Sequence, residues 1–240
     1  PQKLLRATSW GFKSLLRHFL TMRQNINHKW NSNLAYAVGL IATDGNLSKD
    51  GRHILFTTTD RQLANTFKEC LGVKNKTMIT PPSGFGKKHA YRINFGNVKF
   101  YQWLQKIGLM PKKTMLMGKL DIPDQYFVDF LRGHLDGDGS VFTYTDKYME
   151  YKGKRYTYHR LYTKFISTNF NQISWIREKI KEILDIEGSL THYLKINREF
   201  PIWQLRFAKN DSLKLLSWLY YKPNLPCLNR KRKIAEQFLN

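Results

Sequence analysis

Cysteine and long apolar runs are both scarce in this 240-residue chain. Its two cysteines, Cys70 and Cys227, have no further cysteines or histidines beside them at zinc-like spacing. This pattern argues against a secreted disulfide framework and against a structural zinc site. No run approaches the roughly 18 apolar residues that a membrane span requires. We therefore expect a soluble, intracellular protein that makes no membrane contact.

Acidic residues are also few. The chain has 18 Asp and Glu against 40 Lys and Arg, which gives a formal net charge of +22, and residues 1–43, 70–120 and 151–177 contain no acid. This excess is larger than solubility requires and favours a polyanionic partner. A ribosomal-type or simply solvated basic surface is the alternative. Because the acid-free stretches include predicted strands, one sheet face would be continuously positive, and we predict nucleic-acid binding.

One motif occurs twice in the chain, as AVGLIATDG at residues 37–45 and as LRGHLDGDG at residues 131–139. Each copy is an apolar helical run that ends in Asp-Gly, at Asp44 and at Asp138. We expect the glycine after each aspartate to end its helix in the left-handed conformation.

The small residues of the two motifs would let their helices pack side by side and bring the aspartates together at one end. Isolated carboxylates so placed repel one another, whereas a shared divalent cation makes the arrangement favourable. The sequence therefore predicts a metal-binding active site at a seam between two helices.

The two halves also align downstream of the motif. Alternating apolar and polar residues predict strands at residues 91–95 and 203–207, as in sheets with one solvated face. Amphipathic segments predict helices at 62–71, 98–107, 173–184 and 212–220. A repeat that shares a central helix pair favours two fused subdomains with a common core.

With both motifs in one chain, the sequence resembles the LAGLIDADG homing endonucleases in their monomeric form, over about residues 32–240. The first copy has Ala42 at the earlier acidic position of the family motif, and the second has Leu-Arg-Gly-His for the usual Leu-Ala-Gly-Leu. The final Asp-Gly is intact in both. The resemblance implies an α+β fold of two pseudo-symmetric αββαββα subdomains, each with an antiparallel DNA-binding sheet. The predicted boundaries are 1–31 for a basic extension, 32–118 and 119–240.

The resemblance also implies a site-specific endonuclease that makes a double-strand break with short 3′ overhangs in double-stranded DNA. Asp44 and Asp138 would bind Mg²⁺, with the backbone carbonyls of Thr43 and Gly137 as further ligands. Ca²⁺ would substitute without supporting cleavage. In two-metal chemistry the ions activate a water and stabilise the leaving 3′ oxygen.

Two lysines match the position of the family's active-site lysine, Lys113 and Lys231, each at the basic end of a half. A cation near the scissile phosphate would stabilise developing charge. Ordinary phosphate contacts are the alternative role for both lysines.

Polar residues on the solvated faces of the two sheets would read DNA in the major groove, where base edges differ most. Alternation turns Arg92, Asn94, Gln204 and Arg206 outward. Residues 81–89 and the segment Lys147 to Arg160 are predicted as hairpin loops, and the longer second loop predicts an asymmetric target. Further candidates for DNA contact are Arg52, Lys87, Lys88, Lys152, Lys154, Arg155, Lys195 and Arg198.

Two questions stay open in the sequence. Residues 1–31 predict a basic amphipathic helix, which could touch DNA phosphates, be the remnant of a targeting peptide, or cap the fold. The same fold could also serve an RNA-binding intron maturase, with intron RNA as partner, or a non-cleaving DNA-binding regulator. Retention of both aspartates favours cleavage, because a binding protein does not need two acids facing a phosphate backbone.

Overall fold

The structure is a computed structural model that describes residues 26–82, 88–111, 118–196 and 199–239. The helix predicted within residues 1–31 lies almost wholly outside these ranges. The described part of the first half contains α1 (Ser32–Asp44), β1 (Gly45–Leu47), β2 (His53–Thr58), α2 (Arg61–Leu71), β3 (Met78–Thr80), β4 (Ala90–Gly96) and α3 (Val98–Lys106). The second half contains α4 (Asp124–Gly137), β5 (Ser140–Tyr151), β6 (Lys154–Ser167), α5 (Phe170–Leu184), β7 (Ser189–Tyr193), β8 (Ile202–Phe207), α6 (Lys209–Leu219) and α7 (Asn229–Leu239).

The strands form two antiparallel four-stranded sheets with matching order, β1-β2-β4-β3 and β5-β6-β8-β7. Each half therefore runs helix-strand-strand-helix-strand-strand-helix, and α7 follows the second half. This architecture confirms the predicted α+β class with two pseudo-symmetric halves. The boundaries at residues 31 and 118 stay predictions. Among the described helices, none combines the length and the apolar character that a bilayer crossing needs.

Asn and Asp side chains set the start of four helices. Asn31 accepts a hydrogen bond from the Leu34 amide, and Asp60 accepts one from the amides of Gln62 and Leu63. The side chains of Asn97 and Asn169 do the same at α3 and α5. Such caps satisfy amides that the first helical turn leaves unpaired. Helices α2 and α3 then pack on the inner face of the first sheet. On the outer face the β2 residues are half-buried, whereas Arg92 and Asn94 of β4 are exposed.

Helices α1 and α4 pack against each other through two glycines. A side chain at Gly39 would collide with the carbonyl oxygen of Phe130, and one at Gly133 would collide with that of Tyr36. Nearly all of α1 is buried as a result, including every residue of Leu34 to Ala42. This close approach fixes the helices in register, so that their carboxyl ends meet.

We expect Gly133→Ala to lower the free energy of unfolding by about 3 kcal/mol, because a methyl group against a backbone carbonyl forces the two helices apart. Gly118→Ala is the matched control, since a methyl group there meets no atom within 4 Å. Urea unfolding of both variants measures the difference. Equal stability of the two variants would contradict a close contact at Gly133.

The glycines that follow the motif aspartates do not adopt the predicted left-handed conformation. Gly45 has φ −84°, and neither it nor Gly139 has a positive φ. Glycine is needed at these two positions because there is no room for a side chain. A Cβ at Gly45 would lie 2.6 Å from the backbone of Ile41, and one at Gly139 would lie 2.7 Å from the Leu135 carbonyl oxygen. The chain turns so tightly against the last helical turn that no side chain fits.

The segment Lys147 to Arg160 is not the predicted hairpin loop. Strands β5 and β6 run through it and are joined by two residues with positive φ, Lys152 at 51° and Gly153 at 71°. Alternating tyrosines and threonines favour a strand, and this pattern outweighs the Lys and Gly content that suggested a loop. Strand β8 pairs only with Thr163 to Ser167 of β6. Residues 142–162 therefore extend beyond the sheet as a two-stranded ribbon, here called the arm.

Candidate functional site

The carboxyl ends of α1 and α4 meet and bring the four predicted metal-binding residues to one place. A side chain at Gly137 would collide with the hydroxyl of Thr43. Asp44 is the last residue of α1 and is half-buried, whereas Asp138 follows α4 directly and is exposed. The Thr43 hydroxyl donates back to the Leu40 carbonyl at 3.0 Å. The two helix ends therefore touch at the residues that directly precede Asp44 and Asp138.

The electrostatics of this end favour a bound cation. A helix carries partial negative charge at its carboxyl terminus, so Asp44 and Asp138 each add a full negative charge to an already negative helix end. Carboxylates and helix-end carbonyls are hard oxygen donors of the kind that Mg²⁺ and Ca²⁺ prefer. The part of the chain that the structure describes holds no group of three or more His, Cys, Asp or Glu residues placed to bind a metal. Two carboxylates still fit Mg²⁺, which commonly takes its other ligands from water and substrate phosphates.

Lys231 lies under this site rather than at its surface. The side chain is only 2% exposed, and its ammonium group donates three hydrogen bonds of 2.6, 2.9 and 2.7 Å, to the carbonyls of Leu135, Asp136 and Gly139. All three ammonium protons are therefore used to close the carboxyl end of α4. Burial lowers the pKa of Lys231 to about 8, although the neighbouring carboxylates, including Asp44 and Asp138, raise it.

We expect the wild-type protein to gain stability relative to Lys231→Met as the pH rises from about 8 to 10. The pKa of Lys231 is about 8 in the folded chain against an ordinary value of 10.5, so within this window only the unfolded chain holds the proton. The unfolding free energy then increases with pH, whereas below pH 8 both states are protonated and the contribution is constant. Urea unfolding at several pH values measures this difference. The exposed Lys214→Met variant should follow wild type, and parallel curves for wild type and Lys231→Met would contradict the expectation.

Asp136 is a buried acid of the second motif, and the sequence alone predicts no role for it. Its Oδ2 accepts hydrogen bonds from the Tyr36 hydroxyl at 2.8 Å and from the Leu228 amide at 2.7 Å. Burial raises the pKa of this carboxyl. Asp136 therefore joins α4 to α1 and to the segment that leads into α7. One sequence feature could have identified Asp136. It lies two residues before Asp138, at the motif position that is usually acidic in the family, whereas the first copy has Ala42 at that position.

A pocket of about 240 Å³ opens beside Asp44. One wall is the end of β2 and the residues that follow it, and the other is the end of α4. The pocket has room for a hydrated ion or a phosphate oxygen next to the carboxylate. Its lining includes Thr57, Thr58, Thr59, Asp60, Gly137 and Arg230.

The residues predicted to contact DNA are spread along both sheets. In the first half, Arg92 and Asn94 are exposed on the outer face of β4, Arg52 is exposed just before β2, and Lys88 is exposed before β4. The predicted alternation on β4 is therefore present in the structure. Lys87 lies outside the described residues, as does Lys113.

The second half places its predicted contacts in two groups. Arg206 is exposed and Gln204 is half-buried on the outer face of β8. At the tip of the arm Lys152, Lys154 and Arg155 are exposed, and Lys195 is exposed after β7. Arg155 lies 3.7 Å from Glu150 across the arm. Arg198 lies outside the described residues. The helix ends thus form one compact site, flanked by two separate basic surfaces.

Neither a protein-family model nor a curated protein matches this chain. Solved structures do match it. The meganuclease I-SmaMI bound to uncleavable DNA is 15% identical, with a TM-score of 0.52, over 89% of each chain. The LAGLIDADG meganuclease I-AabMI bound to uncleaved DNA is 16% identical, with a TM-score of 0.51, over 87% of this chain and 89% of that chain.

Full-length DUF199/WhiA from Thermatoga maritima is similar as well, at 14% identity and a TM-score of 0.51. The match covers 89% of this chain and 63% of that chain, so this chain spans less than two thirds of that protein. Two of these three structures are described as meganucleases bound to DNA, and the WhiA structure is not described as a nuclease. At these identities the likeness establishes the fold alone. The chain has the two-subdomain fold of LAGLIDADG proteins.

Proposed function

We propose that this protein is a site-specific, metal-dependent DNA endonuclease in which Asp44 and Asp138 are the metal-binding residues. The observation that carries the proposal is that the carboxyl ends of α1 and α4 touch through Thr43 and Gly137, next to Asp44 and Asp138. The Lys231 ammonium beneath the site offsets part of the repulsion between these charges, and a bound divalent cation would offset the rest. The net charge of +22 and the fold shared with DNA-bound meganucleases support DNA as the substrate.

In the proposed cleavage reaction, three kinds of residue have distinct roles: metal-binding acids, backbone carbonyls and lysines. Asp44 and Asp138 would each hold Mg²⁺ near one strand of the duplex, with the carbonyls of Thr43 and Gly137 as further ligands. Bound Mg²⁺ would supply an activated water and stabilise the leaving 3′ oxygen. Lys231 would hold the end of α4, and with it Asp138, in place. Lys113 is proposed as the corresponding cation of the first half.

One acid for each strand would produce one cut in each strand, and the resemblance to homing endonucleases suggests short 3′ overhangs. The outer faces of the two sheets would position the duplex through phosphate contacts and read bases in the major groove. Because the arm makes the second half longer, we propose an asymmetric target. Because one chain contains both motifs, we propose that the protein acts as a monomer. We also propose that the protein is intron-encoded and that Mg²⁺ is its physiological metal ion.

Cleavage of a randomised duplex library tests the proposal. The intact protein is incubated with the library in Mg²⁺, in Ca²⁺ and in EDTA, and cut ends are sequenced. We expect cut ends at one long site in Mg²⁺, and binding without cleavage in Ca²⁺. The double variant Asp44→Asn with Asp138→Asn is the control for a contaminating nuclease. Sequence-specific binding without cleavage in Mg²⁺ would overturn the nuclease proposal and favour a maturase or a DNA-binding regulator.

A further inference from the structure

The arm carries a row of exposed aromatic rings, whose flat faces suit stacking rather than the base edges of a duplex. Phe142, Tyr144, Tyr156 and Tyr158 are 37%, 54%, 39% and 46% exposed. Tyr162 is half-buried at the base of the row, where its ring stacks on Phe142 at 5.3 Å. Exposed rings on adjacent strands cost hydration free energy, so a cluster of this kind indicates a binding surface. These five residues are here called the aromatic strip.

Strand geometry puts the strip on one face of the arm. Side chains alternate along a strand, and on β6 the buried Leu161 and Phe165 face the core. The even-numbered residues between Tyr156 and Tyr162 therefore point outward. The register opposite them pairs Phe142 with Tyr162, which puts the β5 rings on the same face. The seven residues from Tyr156 to Tyr162 are separated by six strand intervals and span about 20 Å.

Cations lie directly beside the rings. The Lys164 ammonium is 5.8 Å from the centre of the Phe142 ring, and the Arg206 guanidinium is 5.4 Å from that of Tyr162. A pocket of about 400 Å³ at the foot of the arm is lined in part by Tyr162 and Lys209. On the same face Arg160 is paired with Asp146 at 3.0 Å. Lys164, Arg206 and Lys209 are therefore the cations placed for phosphates. Rings that stack on bases beside cations that contact phosphates are the arrangement by which proteins hold single strands.

The described residues of the first sheet, β1 to β4, form no such strip. Its outward positions on the central strands β2 and β4 are occupied by His53, Leu55, Thr57, Arg92 and Asn94. Hydrogen-bonding side chains of this kind suit the base edges of a duplex. In a duplex the faces of the bases are already stacked on their neighbours, so a protein ring gains little from them. Unpaired bases offer those faces freely.

We propose that the aromatic strip binds a single-stranded nucleic acid by stacking on its unpaired bases, with Lys164, Arg206 and Lys209 contacting phosphates. This activity does not depend on Asp44 or Asp138, although it shares Arg206 with the proposed duplex contacts. The second half would thus bind unpaired bases by stacking, for which the described strands of the first half offer no comparable row of rings.

Fluorescence anisotropy on the intact protein tests the proposal, with a labelled oligothymidylate and a duplex of the same length as probes. We expect the double variant Tyr144→Leu with Tyr158→Leu to bind the single strand about 100-fold more weakly, roughly tenfold for each ring. Duplex affinity should change less than about threefold, and the salt dependence should stay the same because the phosphate contacts remain. The double variant Tyr144→Phe with Tyr158→Phe keeps the rings and should bind like wild type.

Thr143→Ala with Thr157→Ala is the matched control, since these exposed threonines lie on the opposite face of the arm. An oligouridylate probe distinguishes the source of the strand: tighter binding of uridylate assigns RNA, and tighter binding of thymidylate assigns DNA. Asp44→Asn with Asp138→Asn should bind the single strand like wild type, so a failure of cleavage leaves this result intact. Unchanged single-strand affinity in the leucine variant, or an equal loss for duplex and single strand, would overturn the proposal.

Discussion

Asp44→Asn and Asp138→Asn should each lower the rate of double-strand cleavage by about a thousandfold or more. Asparagine keeps the shape of the side chain but removes the charge that holds a divalent cation. A bound metal supplies several kcal/mol of transition-state stabilisation, and about 4 kcal/mol corresponds to a thousandfold in rate. Because each acid is proposed to serve one strand, we expect nicked or intact duplex and no linear product. Gel separation of nicked, linear and supercoiled plasmid measures the outcome.

Two controls separate loss of chemistry from loss of fold. Removing a negative charge from a helix carboxyl terminus relieves repulsion there but also removes an attraction to the Lys231 ammonium, so each Asn variant should melt close to the wild-type temperature. Duplex binding in Ca²⁺-free buffer should also be retained. Asp121→Asn, which changes an exposed acid before α4, should cleave normally. Full linear product from either Asn variant would contradict the assignment of that aspartate.

Arg132→Met should lower the free energy of unfolding by about 3 to 5 kcal/mol. Arg132 is fully buried, and its guanidinium donates to Asp129 at 2.6 Å and to the carbonyls of Leu219 and Pro226 at 3.0 and 2.9 Å. Loss of the guanidinium leaves the Asp129 carboxylate buried without its ionic partner, which is the costly half of breaking a buried ion pair. Urea or thermal unfolding measures the change.

The double variant Arg132→Met with Asp129→Leu tests the reason for that cost. Replacing both members of a buried pair with apolar side chains is often close to neutral. We therefore expect the second substitution to restore about 2 kcal/mol or more, a coupling that a double-mutant cycle isolates. Additive losses in the double variant would show that packing, rather than the unpaired carboxylate, explains the effect.

Arg132 also shows where sequence reasoning is limited. Within the repeat it is a departure from the usual Leu-Ala-Gly-Leu, and the sequence suggests only an altered helix seam. The structure shows that Arg132 pairs with Asp129, three residues earlier on α4, and donates to the carbonyls of Leu219 and Pro226, about 90 residues away in the chain. The i,i+3 spacing of the ion pair can be read from the sequence. The distant carbonyl partners leave no periodic signal, so the burial of the pair could not be predicted from spacing.

The strands and helices that follow strong periodic patterns were predicted well. Strand β4 was expected at residues 91–95 and runs Ala90–Gly96, and α2 was expected at 62–71 and runs Arg61–Leu71. The arm was predicted wrongly although the alternation from Lys154 to Lys164 was visible. Lys152 and Gly153, which only form the turn, made the whole segment resemble a loop.

The sequence alone determined the duplication, the two Asp-Gly motifs, the strong positive charge and the α+β class, because each is a matter of composition or short-range pattern. Tertiary structure decided the rest. It brought Thr43 against Gly137, buried Lys231 beneath the helix ends and required glycine after Asp44 for lack of space rather than for its dihedral angle. These features depend on how closely two distant helices approach, and the packing of many residues sets that distance.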